Sequence, residues 1–192
     1  MNTNRLEAFS DGVLAIIITI MVLEMKVPEG ATFSALFSVL PVFLTYIMSF
    51  VYVGIYWNNH HHLMHAVTKV NGRVLWSNLN LLFWLSLFPF VTGWMGENHF
   101  ETNPTVLYGI VLFMAALGFK LLVHNAIKLE GKNSKVGNVY KNDKKLVGSL
   151  LLYALGIAFS FIEPVIGIVM YSLVALFWVI PDKRIEKTLK EG

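Results

Sequence analysis

The sequence predicts an all-α integral membrane protein of six transmembrane helices. Three observations lead there: an apolar composition, six apolar runs of spanning length, and cations gathered on one side of those runs. Of 192 residues, 56% are hydrophobic and 14% charged, whereas soluble domains carry roughly 25% charge. A soluble fold could not cover that much apolar surface. The absence of cysteine excludes a disulfide framework and thiolate metal sites. A net charge of +3, confined to particular loops, gives no footprint for nucleic acid.

A span needs about 20 mostly apolar residues. The first run, 6–25, follows the polar Asn2-Thr3-Asn4-Arg5 and has no small-residue cleavage pattern after it, so it reads as a retained helix rather than a signal peptide. The second, 36–57, leads into a histidine-rich end. The third, 74–95, holds Asn78, Asn80 and Phe88-Pro89-Phe90, and the fourth covers 105–127. The fifth and sixth, 146–162 and 165–180, are separated only by Glu163-Pro164 and read as a tight helical hairpin; Pro181 and the tail 182–192 end the last. The polar stretch 128–145, with Gly131 and Gly137, is expected to be a mobile loop. No motif repeats, so residues 1–192 read as a single membrane domain.

Cations fix the orientation, because cytoplasmic loops hold the excess of Lys and Arg. Arg5 precedes the first span; Lys69 and Arg73 follow the second; Lys128, Lys132, Lys135, Lys141, Lys144 and Lys145 lie in the long loop; Lys183, Arg184, Lys187 and Lys190 lie in the tail. Only Lys26 falls on the other side. Both termini are therefore expected in the cytoplasm, in a multi-pass protein of the cell membrane. The outer loops carry Glu24, Glu29, Glu97, Glu101 and Glu163, an excess of negative charge that would concentrate cations at an outer mouth.

The first span is unusual in placing ionisable groups inside or beside an apolar run, which makes function the default hypothesis for them. At about 100° per residue, Ile16, Thr19, Ile20 and Leu23 share a face, with Gly12 and Arg5 close to it, whereas Asp11 points about 140° from Ile16. One face is an apolar stripe broken by a hydroxyl; the other carries Ser10 and Asp11 into the bundle. Periodicity alone leaves the stripe open between lipid contact, helix packing and a pore lining. Asp11 reads either as a structural polar link or as an ion- or proton-carrying carboxylate. Its depth matches that of His60, His61 and His62 and of Asn78 and Asn80, so a cluster of Ser10, Asp11, one histidine and one asparagine could satisfy its own hydrogen bonds where water is scarce. Arg5 could pair with Glu7 or Glu186, or serve as an interfacial anchor.

The stretch Arg5-xxx-Phe9-Ser10-Asp11, followed by Gly12-Val13-Leu14-Ala15-Ile16-Ile17-Ile18-Thr19, resembles the transmembrane protein 175 family of endolysosomal and prokaryotic potassium channels, whose mark is an Arg-x-x-x-Phe-Ser-Asp motif opening the first helix of a six-helix unit. The histidine-rich end of the second span and Asn78, Asn80 and Phe88-Pro89-Phe90 support it. The resemblance implies four chains around an axis, a homotetramer with the first helix lining a central pore and membrane lipid around it. It implies a leak-type, potassium-selective cation channel. Matched from Asp11, the family's narrowest hydrophobic ring falls on Ile16, its hydroxyl layer on Thr19 and its outer apolar ring on Leu23, with Ile20 adjacent.

Such a pore has no Thr-Val-Gly-Tyr-Gly loop and so no carbonyl filter. A ring of Ile16 would let an ion cross only by shedding water, which is cheaper for potassium than for sodium, and Thr19 hydroxyls would replace some of that water. Gating would mean widening and wetting a hydrophobic gate at Ile16. Potassium near Ile16 and Thr19 is the permeant species; no resident metal or cofactor is expected.

Two rivals remain. His61 and His65 are four apart on one helical face, a metal-binding spacing. No Glu lies between them as in His-Glu-x-x-His, so an enzyme is not expected. A proton-permeable or proton-coupled transporter could use Asp11 or Glu24, although the paired repeats common among transporters are missing.

Overall fold

The computed structural model describes residues 3–140 and 144–179; the tail cations, Glu186 and Lys141 lie outside the described residues. Among the described residues the chain is helical, without strands: α1 (Thr3–Leu23), the short α2 (Phe33–Leu36) leading through a 3-10 turn (Phe37–Val39) into α3 (Leu40–Ala66), α4 (Gly72–Ser86), α5 (Phe88–Glu97), α6 (Thr102–Glu130), α7 (Lys135–Val139), α8 (Lys144–Ser160) and α9 (Pro164–Val179). Among the described residues, four stretches are long and apolar enough to cross a membrane: Thr3–Leu23, Phe33–Ala66, Gly72–Glu97 and Thr102–Glu130. Within the described residues, the hairpin helices α8 and α9 cover 17 and 16 residues.

Prolines mark the starts of α3, α5, α6 and α9. Pro41 and Pro164 sit at helix starts, and Pro104 lies in the first turn of α6, where a missing N–H costs nothing. Pro89 instead falls inside the third expected span. It cannot donate to a carbonyl one turn back and its ring crowds that turn, so the run expected at 74–95 becomes two helices, α4 and α5, meeting at Leu87. Gly12 lies in unbroken helix.

The second expected span extends well past residue 57. Its helix continues to Ala66, carrying all of His60, His61, His62 and His65. Between α6 and α8, where the sequence suggests a mobile linker, the chain is partly packed. Gly131, at φ +100°, ends α6 in a conformation open to glycine; Ser134 then caps α7 by accepting from the Gly137 amide, and Val136 is fully buried. Glu130 Oε1 accepts from the amides of Thr68 and Lys69 at 2.6 and 2.8 Å, tying the end of α6 to the α3–α4 connection.

The core lies where α6 packs on α4, α8 and α5. Gly118 brings α6 close to the backbone of Leu81, and Gly109 leaves room for the Tyr171 hydroxyl. In the hairpin, Gly156 and Ser160 face α9, Ser160 lying against Gly167. Ala154 and Ala158, the other small-residue pair of that helix, are exposed. Large apolar side chains also lie on the outside: Phe33, Trp76, Leu151, Ile162 and Leu176 are all exposed. A contiguous surface of this kind is stable only against lipid or another chain.

Candidate functional site

The chain buries α1 on one side only. Leu6, Ser10, Leu14, Ile17 and Met21, at spacings of three and four, form its buried stripe, and α3, α4 and α5 supply the contacts. The opposite face carries Arg5, Phe9, Gly12, Ile16, Thr19, Ile20 and Leu23, all exposed. Ile16 is 58% and Leu23 75% exposed. The stripe read from helical phase is therefore the face that the chain's own fold leaves uncovered. Nothing lies within 4 Å of where a Cβ on Gly12 would stand. The Thr19 hydroxyl donates to the Ala15 carbonyl at 2.9 Å, so its oxygen retains accepting capacity.

On the buried side the expected polar cluster exists in a narrower form. Ser10 Oγ donates to the Leu6 carbonyl at 2.8 Å, and Asn78 Nδ2 donates to Ser10 Oγ at 3.0 Å. With the amide so oriented, Asn78 Oδ1 is an acceptor, and His60 Nε2, 2.8 Å away, must be the donor. Direction is thus fixed along the chain from α3 through α4 to α1. All three side chains are at most 1% exposed, so each bond stands in place of one that water cannot make. His60 Nδ1 is buried without a partner among the described residues, which suits a lone pair far better than an N–H.

The remaining members of the expected cluster go elsewhere. Asp11 Oδ1 is buried but finds no donor among the described residues. His61 Nδ1 pairs with Glu7 Oε1 at 2.8 Å, a partner the sequence had offered to Arg5. Asn80 is exposed on another face of α4, with its Oδ1 beside Gly118 of α6; residues 78 and 80 lie about 200° apart around a helix and could not both reach α1. Arg5 makes no ion pair among the described residues.

A second polar layer escaped the sequence. Ser49 of α3 sits 2.6 Å from Thr92 of α5 and 2.9 Å from Tyr108 of α6, and the Tyr52 hydroxyl donates to the Tyr171 carbonyl at 2.5 Å. These hydroxyls are scattered singly through apolar runs, and helical phase could only have hinted that they look inward. At the far end of α1, Glu24, Lys26, Glu29, Glu97 and His99 border one cleft. Lys26 Nζ reaches Glu97 Oε1 at 2.7 Å, and this carboxylate raises the Lys26 pKa above its ordinary 10.5.

The family described as endosomal/lysosomal potassium channel TMEM175 matches residues 5–89, which include α1, the histidine-rich end of α3 and Asn78. A potassium channel of Chryseobacterium sp. strain P1-3 is 59% identical over 192 residues, covering 100% of both chains. A potassium channel of Chamaesiphon minutus is 30% identical over 92% of this chain and 93% of its own length. The human endosomal/lysosomal proton channel TMEM175 is 36% identical over 68% of this chain, which corresponds to 30% of that protein. Among solved structures, the lysosomal potassium-selective channel TMEM175 homolog from Chamaesiphon minutus has a TM-score of 0.80, with 28% identity over 93% of this chain and 96% of that one.

Proposed function

Since the chain belongs to the TMEM175 family of cation channels, we propose that it is a potassium-selective leak channel of the cell membrane, assembled from four copies with α1 of each around the axis. The observation that carries this reading is the uncovered stripe of α1: Ile16, Thr19, Ile20 and Leu23 are exposed among the described residues, opposite the stripe that α3, α4 and α5 cover. A second copy, lipid or water must meet that stripe. In this arrangement the spans are six, α8 and α9 crossing as the fifth and sixth, and both termini lie in the cytoplasm, as the cation distribution requires.

The mechanism follows from the side chains on the axis. Four Ile16 side chains close a ring too narrow and too apolar for a hydrated ion, so conduction requires partial dehydration. Potassium loses water more cheaply than sodium and passes preferentially. Thr19, one turn beyond, presents hydroxyl oxygens to the partly stripped ion, and Leu23 with Ile20 forms the outer apolar layer. The Ser10–Asn78–His60 chain holds the buried face of α1 in register, so that the opposite face is presented to the axis. The carboxylates beyond the end of α1 raise the local cation concentration.

The test is a bi-ionic reversal potential on purified protein in liposomes. Wild type is expected to favour potassium over sodium, and Ile16→Asn to raise cation flux while lowering that ratio. An unchanged ratio removes Ile16 from the mechanism. Vertebrate relatives named as proton channels favour a second reading, proton permeation involving Asp11 or Glu24; a pH gradient imposed in the same liposomes measures it directly.

A further inference from the structure

Glu7 of α1 and His61 and His65 of α3 bring one carboxylate and two imidazoles to a single point. One ligand atom from each lies within 4.8 Å of the other two. His61 and His65 are four residues apart in the last turns of α3, with ring centroids 4.4 Å apart, and Glu7 reaches them from a different helix. We propose that these three side chains form a binding site for a borderline transition-metal cation of the Zn2+ class, which clamps the start of α1 to the end of α3.

The chemistry selects the ion. Two imidazoles and a carboxylate suit zinc and its late first-row neighbours, whereas calcium takes six to eight oxygens and magnesium a near-octahedral oxygen shell. Zinc bonds of about 2.0–2.2 Å put tetrahedral ligand atoms about 3.4 Å apart. The His61 Nδ1–Glu7 Oε1 pair at 2.8 Å is closer than that spacing, and no pair among the three ligand atoms exceeds 4.8 Å. On binding, the imidazole hydrogen of His61 sits on Nε2, so that the Nδ1 lone pair and the Glu7 carboxylate oxygen both turn to the metal in place of each other. Both partners of that hydrogen bond are only partly buried, so giving it up costs little. His65 is exposed, so the ion enters from water, and water completes the shell. None of the three belongs to the Ser10–Asn78–His60 chain.

The consequence for conduction rests on the channel reading. Glu7 stands one turn before Ser10 on the helix assigned to the pore, so a metal held jointly by α1 and α3 resists movement of α1 and lowers cation flux.

Zinc binding is measured by calorimetry on purified, tag-free protein in detergent, and flux in liposomes with and without zinc. One Zn2+ per chain is expected, with no corresponding magnesium binding. Groups that merely support a ligand cost about 10–100-fold in affinity when changed, so His65→Gln and Glu7→Gln should each weaken binding by at least that much. Each should also remove zinc's inhibition of flux. Equal zinc affinity in wild type and both variants, or no binding in wild type, overturns the site. Site-dependent binding with zinc-insensitive flux overturns the clamp. Site-dependent binding in protein that conducts no cations under any condition upholds the site and refutes the channel reading instead.

Discussion

α1 and α6 are both apolar enough to span a membrane, yet only 28% of the most apolar 18 residues of α1 are buried against 61% for α6. Hydropathy therefore does not distinguish a helix that builds the core from one that borders it. α6 touches α4, α5, α8 and α9 and is committed to the fold on nearly all sides. α1 touches α3, α4 and α5 along one stripe and presents the rest outward. A helix enclosed by its own chain can only support structure; a helix half open can meet an axis.

The largest expected effect contrasts one glycine from each helix. At Gly109 in α6, a Cβ would collide with the Tyr171 hydroxyl and with Ile157, whereas at Gly12 in α1 it would meet nothing. Gly109→Leu should abolish monodisperse protein on size-exclusion chromatography. Gly12→Leu should elute as wild type while conducting far less, because its added side chain enters the proposed pore. If Gly12→Leu also fails to fold, α1 is not the open helix described here.

A smaller effect is expected where the two regions join. Asn78→Ala leaves Ser10 and His60 each short of a buried partner, at a cost of about 1–3 kcal/mol, visible as a lowered Tm in detergent. Asn80→Ala, two residues on and exposed, should change the Tm little. Equal losses in the two variants would mean that the buried chain does not anchor α1.

The smallest concerns the outer end. Lys26→Met removes an exposed pair with Glu97, and its Tm at neutral pH should match wild type. The Lys26 pKa is raised in the folded state, so whatever the pair contributes is present below pH 10.5 and is lost as pH climbs past the folded value. A clear Tm drop at neutral pH would show that the cleft is more closed than its exposure indicates.

Much of the α1 site was legible because a helix has a fixed angular period. Knowing that Ser10 and Asp11 point one way determines that Ile16, Thr19 and Leu23 point another. The anchor was legible only to depth. Ser10, His60 and Asn78 share a level in the membrane, but so do Asn80 and His62, and only the rotation of α4 against α1 chooses among them. The split at Leu87 and the length of α3 follow the same pattern: a proline within an apolar run is visible in the sequence, whereas the continuation to Ala66 through polar Asn58, Asn59 and the histidines defies a hydropathy boundary. Helices persist past the apolar run wherever neighbours or water satisfy their side chains.

By itself, the sequence determined the all-helical class, the main spanning stretches and the two faces of α1, because each depends on properties summed along one chain segment: apolar length, charge placement and helical phase. The tertiary structure alone decided which polar side chains meet, that Glu7 turns to His61 and not to Arg5, and that α6 is the core helix while α1 stays half uncovered. Those outcomes depend on how one helix is rotated and displaced against another, a short-range steric and hydrogen-bonding choice that no single segment contains.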